Sequence, residues 1–280
     1  MNKRLVLSSS KEIPPEAENL PVGAVEKVAI HRVTTDNRER AEDIIVREFP
    51  LTIMLNGQEL VTLLCSPADL KYLAIGFLFS EGLLKSKADI KRVTVDEGKG
   101  IVRVETKVDV LADGETVFKR LITPGCGRGA SFYSAADTGL DKVESKLTVA
   151  AAEVFELMKA FQHRSLIFRT TGGVHSAALC DNRNILIFSE DIGRHNAIDK
   201  IFGQCLDRNL STNDRIILTS GRVSSEIVVK VARRQVPLLV SKSAPTSAGV
   251  KLAEELGITL IGFVRGTRMN VYTHDRRVTI

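Results

Sequence analysis

The feature that most constrains this 280-residue chain is the alternation of short apolar runs with helix-period stretches across its second half. Residues 215–219 read Arg-Ile-Ile-Leu-Thr, too short a run for a helix and apolar on both faces, which is the pattern of a buried strand. Helical patterns at 224–235 and 246–256 follow, separated by apolar runs at 237–240 and 258–263. A strand, helix, strand order repeated in this way returns each strand beside the last through a crossover, and predicts a parallel sheet covered by helices. Upstream, Val154, Leu157, Met158 and Phe161 recur at helical spacing within 149–163. Runs at 174–179 and 185–188 flank Asp181-Asn-Arg-Asn184 as a hairpin, and 196–206 forms an amphipathic helix. Residues 146–280 therefore read as a three-layer α/β/α domain.

The first half has a different texture. Residues 1–24 hold Pro14, Pro15 and Pro21 among polar residues without apolar period, and read as an extended or disordered arm. Residues 25–145 read as a smaller α+β domain. Strands are expected at 25–33, 44–55 and 59–65, the last two flanking Asn56-Gly57, a strong hairpin signal. Ser66-Pro67 then predicts a helix start, with serine as N-cap and proline at the first helical position, running to residue 84. Further strands at 90–95 and 101–110 enclose a glycine turn at 97–100.

Composition narrows the function classes. Hydrophobic residues at 44% and charged residues at 26% fit a globular protein and disfavour a disordered or disulfide-scaffold chain. The 39 basic against 34 acidic residues leave +5, which suits an anionic partner but is too sparse for a nucleic-acid-binding stripe. The four cysteines include no Cys-x-x-Cys pair, so reduced thiols in a cytoplasmic protein are expected rather than a zinc ribbon. Residues 1–10 lack the apolar run of a secretory signal, and the apolar stretch at 70–84 is interrupted by Lys71, Gly76, Ser80 and Glu81, so no membrane span is expected.

Two features could carry chemistry. In the loop at 123–130, Gly125, Gly127 and Gly129 leave Cys126 unobstructed by side chains, and Arg128 supplies a cation that favours the thiolate. The same residues could make a surface turn with an incidental cysteine. Cys65, Cys180 and Cys205 sit in apolar runs and read as core filling. The second feature is a set of strand-to-helix junctions on one predicted sheet edge, carrying Arg194 and His195, then Arg222, then Lys242 and Ser243. Such edges bind ligands in open α/β sheets, and helix N-termini receive anions. Arg265 and Arg268, just beyond the last predicted strand, fall at the same edge and read locally as a solvated basic turn.

Four segments then stand together in order: Thr-Thr-Gly-Gly-Val-His-Ser-Ala-Ala-Leu at 170–179, Glu-Asp-Ile-Gly-Arg-His-Asn-Ala-Ile-Asp-Lys at 190–200, Ser-Gly-Arg-Val-Ser-Ser-Glu-Ile at 220–227, and Gly-Phe-Val-Arg-Gly-Thr-Arg-Met-Asn-Val-Tyr-Thr-His at 262–274. With Ser-Pro-Ala-Asp-Leu at 66–70 and Gly-Phe-Leu-Phe-Ser-Glu-Gly at 76–82, the chain resembles the FdhD/NarQ family of formate dehydrogenase accessory sulfurtransferases from residue 25 onward. The resemblance implies a cytoplasmic sulfur carrier that takes sulfur from a cysteine desulfurase as a persulfide. It further implies transfer to a molybdenum or tungsten bis(molybdopterin guanine dinucleotide) cofactor before insertion into the formate dehydrogenase catalytic subunit. A cytidine-deaminase-like second domain and a homodimer are implied as well.

Carried onto this sequence, the resemblance makes Cys126 the persulfide cysteine. The family's loop has the form Cys-Gly-x-Cys-Gly, and here Gly129 stands at the second cysteine's position, leaving a relay by one thiol. The family's cofactor-binding segment falls on Phe263, Val264, Arg265, Gly266, Thr267 and Arg268, with Arg194, His195, Arg222, Lys242 and Ser243 as further candidates. A zinc deaminase needs a glutamate and a Pro-Cys-x-x-Cys. The matching junctions read Arg194-His195-Asn196-Ala197 and Gly221-Arg222-Val223-Ser224-Ser225, so no catalytic zinc is expected. The competing reading is a cofactor-binding chaperone without sulfur chemistry.

Overall fold

The computed structural model describes Leu20, residues 23–108 and residues 139–280. Cys126 with its glycine-rich loop, and all but a few residues of the predicted arm, lie outside the described residues. The described chain is mixed α/β, built as a stack of layers.

A four-stranded sheet forms the outermost layer, in the order β4-β3-β6-β5. Strands β3 (Phe49–Leu55) and β4 (Gln58–Cys65) are joined by Asn56 and Gly57, whose φ values of 49° and 83° are those a two-residue hairpin turn demands. Strands β5 (Ile90–Asp96) and β6 (Ile101–Thr106) form a second antiparallel pair, and β6 lies parallel to β3. Against this sheet packs α1 (Leu70–Ser80), eight of whose eleven residues are buried because its opposite side is covered too.

That opposite side meets α4 (Arg194–Asp207), a helix of the larger unit in which eleven of fourteen residues are buried. The crossing is close because two glycines sit at it. A Cβ on Gly76 would stand 1.8 Å from the Asp199 carbonyl oxygen, and one on Gly203 would stand 2.0 Å from that of Tyr72. Two buried ionic clusters tie the same joint. Lys230 Nζ donates to Glu81 Oε1 at 2.7 Å and to both oxygens of Asp199 at 3.0 and 3.1 Å. Lys200 Nζ lies 2.7 Å from Asp191 Oδ2, both side chains fully buried. The Ser66 N–H donates to Asp191 Oδ2 at 3.1 Å, and the Ile192 N–H donates to Ser66 Oγ at 3.1 Å.

This last contact corrects one sequence expectation. Ser66 does not cap α1; its N–H and hydroxyl are taken by residues 191 and 192, and the helix begins at Leu70 behind Asp69, which adopts φ 58°. The expected strand at 44–55 is also two strands. The first part belongs to a ribbon of β1 (Val25–Val33) and β2 (Arg38–Val46), and the chain then turns at 47–48, where the Arg47 N–H bonds to the Ala24 carbonyl. The ribbon's Val25 and Val46 pack with Ile167 and Val174 of the larger unit.

The larger unit centres on a six-stranded sheet ordered β13-β12-β11-β10-β8-β9. Its strands are β8 (His175–Cys180), β9 (Ile185–Asp191), β10 (Ile216–Thr219), β11 (Leu238–Ser241), β12 (Thr259–Arg265) and β13 (Arg268–Val271). Only β10, β11 and β12 run parallel, as the crossovers predict; β8 and β13 pair antiparallel at either side. One face carries α4, α5 (Ser225–Arg233) and α6 (Ser247–Glu255) over a core including Leu179, Ile217, Val228, Leu239 and Leu260. The other face carries α2 (Ala151–Arg164), whose Val154, Leu157, Met158 and Phe161 meet Ala178, Leu218, Val240 and Ile261. The periodicity read from residues 149–163 is thus the packing face itself. A short helix, α3 (Leu166–Thr171), follows α2 directly, and a small parallel pair of β7 (Val149–Ala150) and β14 (Val278–Thr279) closes the unit.

Candidate functional site at the sheet edge

Between α2, α3 and the ends of the strands lies a cavity of about 850 Å³. Its polar wall is made by the loops that follow β10, β11 and β12, which contribute Ser220, then Lys242 and Ser243, then Arg265, Gly266 and Thr267. The helices supply the apolar part of the wall, Phe155 and Met158 on α2 and Phe168 on α3, interleaved with Glu156, Lys159, Gln162, His163 and Arg169. Strand ends that diverge from helices on one face leave such a crevice in any open α/β sheet.

The loops are held by bonds among themselves. Lys242 N–H donates to the Thr219 carbonyl at 3.1 Å, Ser243 Oγ to the Ser220 carbonyl at 2.9 Å, and Ser241 Oγ to the Gly221 carbonyl at 2.8 Å. Phe263 N–H reaches the Ser243 carbonyl at 3.2 Å, so the β12 loop is fastened to the β11 loop. At Phe263 the backbone turns to φ 54°, a conformation that costs a non-glycine residue on the order of 1 kcal/mol, and the β12–β13 register shifts between Gly262 and Arg265. The irregular stretch ends in a tight turn at Gly266, φ 56°, which presents Gly266 and Thr267 to the cavity.

This hairpin was not expected: the segment after 263 reads as a basic turn, but it folds back as β13. The fold-back sets Arg265 directly opposite Arg268 in the ladder. Like charges in that relation destabilise a hairpin. Among the described residues, neither arginine nor Lys242 has a carboxylate partner in an ion pair. The turn therefore presents unneutralised positive charge at the mouth of an aromatic-walled cavity, which is what a phosphate-bearing ligand with a planar ring would require.

The remaining sequence candidates fall in different places. Arg265, Gly266, Thr267, Lys242 and Ser243 come together on the cavity wall. Val264 is buried in the core beneath α2, and neither it nor Phe263 nor Arg268 is among the residues that line the cavity. Arg194, His195 and Arg222 do not line the cavity; they act on it through His175, which does. Burial first, and then the charges of Arg194, His195 and Arg222, hold the His175 imidazole below its ordinary value, so it is kept neutral. His175 Nδ1 lies 3.4 Å from Ser220 Oγ, which in turn accepts from the Ser176 N–H at 2.9 Å. His195 Nε2 stands 3.0 Å from Glu226 Oε2, and that contact lowers the Glu226 carboxyl.

The sequence reading did not find the helical wall. Phe155 and Phe168 look like ordinary core residues, and no motif marks 166–171 as a helix. A paired Ser165 and Ser176, with hydroxyl oxygens 2.8 Å apart, and Glu190 complete the wall from behind.

The three cysteines within the described residues are all buried. Burial pushes the thiols of Cys65, Cys180 and Cys205 up to about 12, so each is a neutral thiol at physiological pH, as their apolar sequence context predicts. Among the described residues there is no group of three or more His, Cys, Asp or Glu side chains placed to hold a metal ion. No helix among them is long and apolar enough to cross a membrane.

The chain is 44% identical over 254 residues to a sulfur carrier protein FdhD of Bacillus pumilus (strain SAFR-032), covering 90% of this chain and 97% of that one. It is 46% identical over 240 residues to a sulfur carrier protein FdhD of Bacillus subtilis (strain 168), covering 85% and 92%. A crystal structure described as a formate dehydrogenase accessory protein from Desulfotalea psychrophila superposes with a TM-score of 0.74 at 25% identity, over 91% of this chain and all of that one. The profile of the FdhD/NarQ family matches residues 46–279, a span that takes in both sheets and every loop of the cavity wall, and the chain belongs to that family.

Proposed function

We propose that the protein is a sulfurtransferase of formate dehydrogenase maturation, carrying sulfur as a persulfide on Cys126 and delivering it to a bis(molybdopterin guanine dinucleotide) cofactor of molybdenum or tungsten held at the sheet edge. The observation that carries this reading is the convergence of Lys242, Ser243, Arg265, Gly266 and Thr267 on one cavity bordered by phenylalanines, with Lys242 and Arg265 in no ion pair among the described residues. Backbone amides and hydroxyls at the glycine turn suit a pyrophosphate, and the helical wall suits a ring. The cofactor is the substrate here, not a resident group.

The choice of thiol is supported by elimination. Three of the four cysteines are buried thiols that stay protonated at neutral pH, and a thiol in that state is a poor nucleophile. In the loading step the Cys126 thiolate attacks the outer sulfur of the desulfurase persulfide. A new S–S bond forms, the donor's S–S bond breaks, and the donor leaves as a thiolate. In delivery an electron pair from the acceptor takes the outer sulfur, the S–S bond breaks, and Cys126 departs as the thiolate. Arg128, two residues away, favours both thiolate states. The desulfurase and the formate dehydrogenase catalytic subunit are the protein partners in this reading, which places the protein in the cytoplasm.

The test is a maturation assay run beside a binding assay. A Cys126→Ala variant is expected to bind GDP as the parent does while formate dehydrogenase matured with it stays inactive. Active enzyme from that variant would leave only the chaperone reading, and absence of GDP binding by the parent protein would remove the cavity assignment.

A further inference from the structure

Three phenylalanines face the cavity, and two of them are already committed. Phe161 is fully buried, with its ring edge-on to Phe188 at 5.7 Å, and Phe155 is half-buried against the core under α2. Phe168 differs. It lines the cavity yet is 41% exposed, on a helix of six residues that has little stability of its own.

That short helix is pinned from below. The Glu190 carboxylate accepts the Ile167 N–H on Oε2 and the Phe168 N–H on Oε1, each at 3.1 Å, and Ser176 Oγ donates to Oε1 at 3.4 Å. Ser176 is itself paired with Ser165, the residue immediately before the helix. Ile167 faces the other way and packs with Ala24, Val25, Val46 and Val174. A carboxylate whose two oxygens are spent on consecutive amides fixes the direction of the helix at its first turn, and with it the Cα–Cβ direction from which the Phe168 ring extends.

We infer that Phe168 is the platform on which the ligand's planar ring stacks, and that Glu190 is the positioning residue that holds the platform in place. The inference rests on the cavity binding a guanine nucleotide, as proposed above, and adds which side chains recognise the ring. The turn at Arg265, Gly266 and Thr267 then receives phosphate and the exposed phenyl receives the base, both on the wall of one cavity. An exposed ring carried on backbone that is pinned by two hydrogen bonds loses less conformational freedom when a base covers it than one on a free loop, so more of its contact surface converts into affinity.

The experiment measures binding of two probes, GDP and inorganic pyrophosphate, to the full chain by calorimetry. Phe168→Ala is expected to weaken GDP about tenfold, the equivalent of about 1.4 kcal/mol of stacking, while pyrophosphate binding is unchanged. Phe168→Trp should restore GDP binding, and because the parent chain has no tryptophan, its fluorescence should be quenched by GDP and not by pyrophosphate. Glu190→Ala should weaken GDP to the same degree and speed hydrogen exchange at the Ile167 and Phe168 amides. The double variant should be no weaker than either single one, because the two side chains act as one unit.

GDP binding by Phe168→Ala equal to the parent's would overturn the platform. Equal losses for GDP and pyrophosphate would overturn it too, since the effect would then be on the fold as a whole. Additive losses in the double variant, or unchanged exchange at residues 167 and 168 in Glu190→Ala, would overturn the positioning role. A parent protein that binds neither probe would refute the cofactor assignment itself, and is thereby distinguishable from a failure of the platform alone.

Discussion

Replacing Gly203 by alanine places a methyl carbon 2.0 Å from the carbonyl oxygen of Tyr72 and 2.8 Å from its carbonyl carbon. A carbon rests against a carbonyl oxygen at about 3.3 Å, so α1 must retreat from α4 by about 1.3 Å. A gap of that size forfeits a quarter to a half or more of the dispersion energy along the contact. The joint also carries the Lys230–Glu81 pair, whose bond lengthens with it. Overpacking of a tight interior site costs about 1–3 kcal/mol, and here the methyl collides with backbone rather than with a flexible side chain, so the upper end applies. Alanine recovers about 1 kcal/mol of helix propensity. The net expectation is a loss of about 2 kcal/mol, read as a lower urea midpoint with unchanged slope. Gly98→Ala, at an open turn whose nearest neighbour is the Asp96 carboxylate at 3.8 Å, is the control and should move stability by less than about 0.5 kcal/mol. A Gly203→Ala protein as stable as the control would show that the two sheets are not joined through this helix crossing.

Other consequences are as specific. Lys230→Met leaves Asp199 buried without its cation and should cost about 3–5 kcal/mol by urea unfolding; a loss below about 1 kcal/mol would mean the cluster is hydrated in solution. His175 is held neutral when folded and protonates near its ordinary value when unfolded, so its contribution is complete above that value and is lost as pH falls from about 7 toward 5. His175→Gln should flatten that part of the stability profile, and an unchanged slope would refute the assignment. Arg265→Thr removes one of two facing like charges, so it should leave the unliganded protein equally or slightly more stable while weakening GDP binding at least tenfold. Loss of stability together with binding would show a structural role instead.

What the sequence disclosed follows how local each interaction is. Asn56 and Gly57 determine their turn by their own backbone preferences, and the hairpin is where they put it. The apolar spacing of Val154, Leu157, Met158 and Phe161 is itself the contact surface of α2, so the helix and its buried face were both legible. Ser66 misled because its capping chemistry is real but is spent on partners 125 and 126 residues away. The strand β13 was hidden by its shortness and its arginine, since alternation of Arg268, Met269, Asn270 and Val271 is a weak signal without the partner strand beside it. Residues of the candidate site behaved alike. Lysine, serine, arginine and glycine at strand ends mark a ligand edge locally, whereas nothing near Phe168 in the sequence shows that its backbone amide, on the helix that borders the cavity, is held by a carboxylate 22 residues away.

The central claim concerns one sulfur atom, and its mass can be read directly. After incubation with a cysteine desulfurase and cysteine, then alkylation and proteolysis, the peptide containing Cys126 should gain about 32 Da for one added sulfur, reversibly on reduction. Peptides containing Cys65, Cys180 and Cys205 should stay at their unmodified masses. Added sulfur on any of those three, or none on Cys126 under conditions where the desulfurase turns over, would contradict the account.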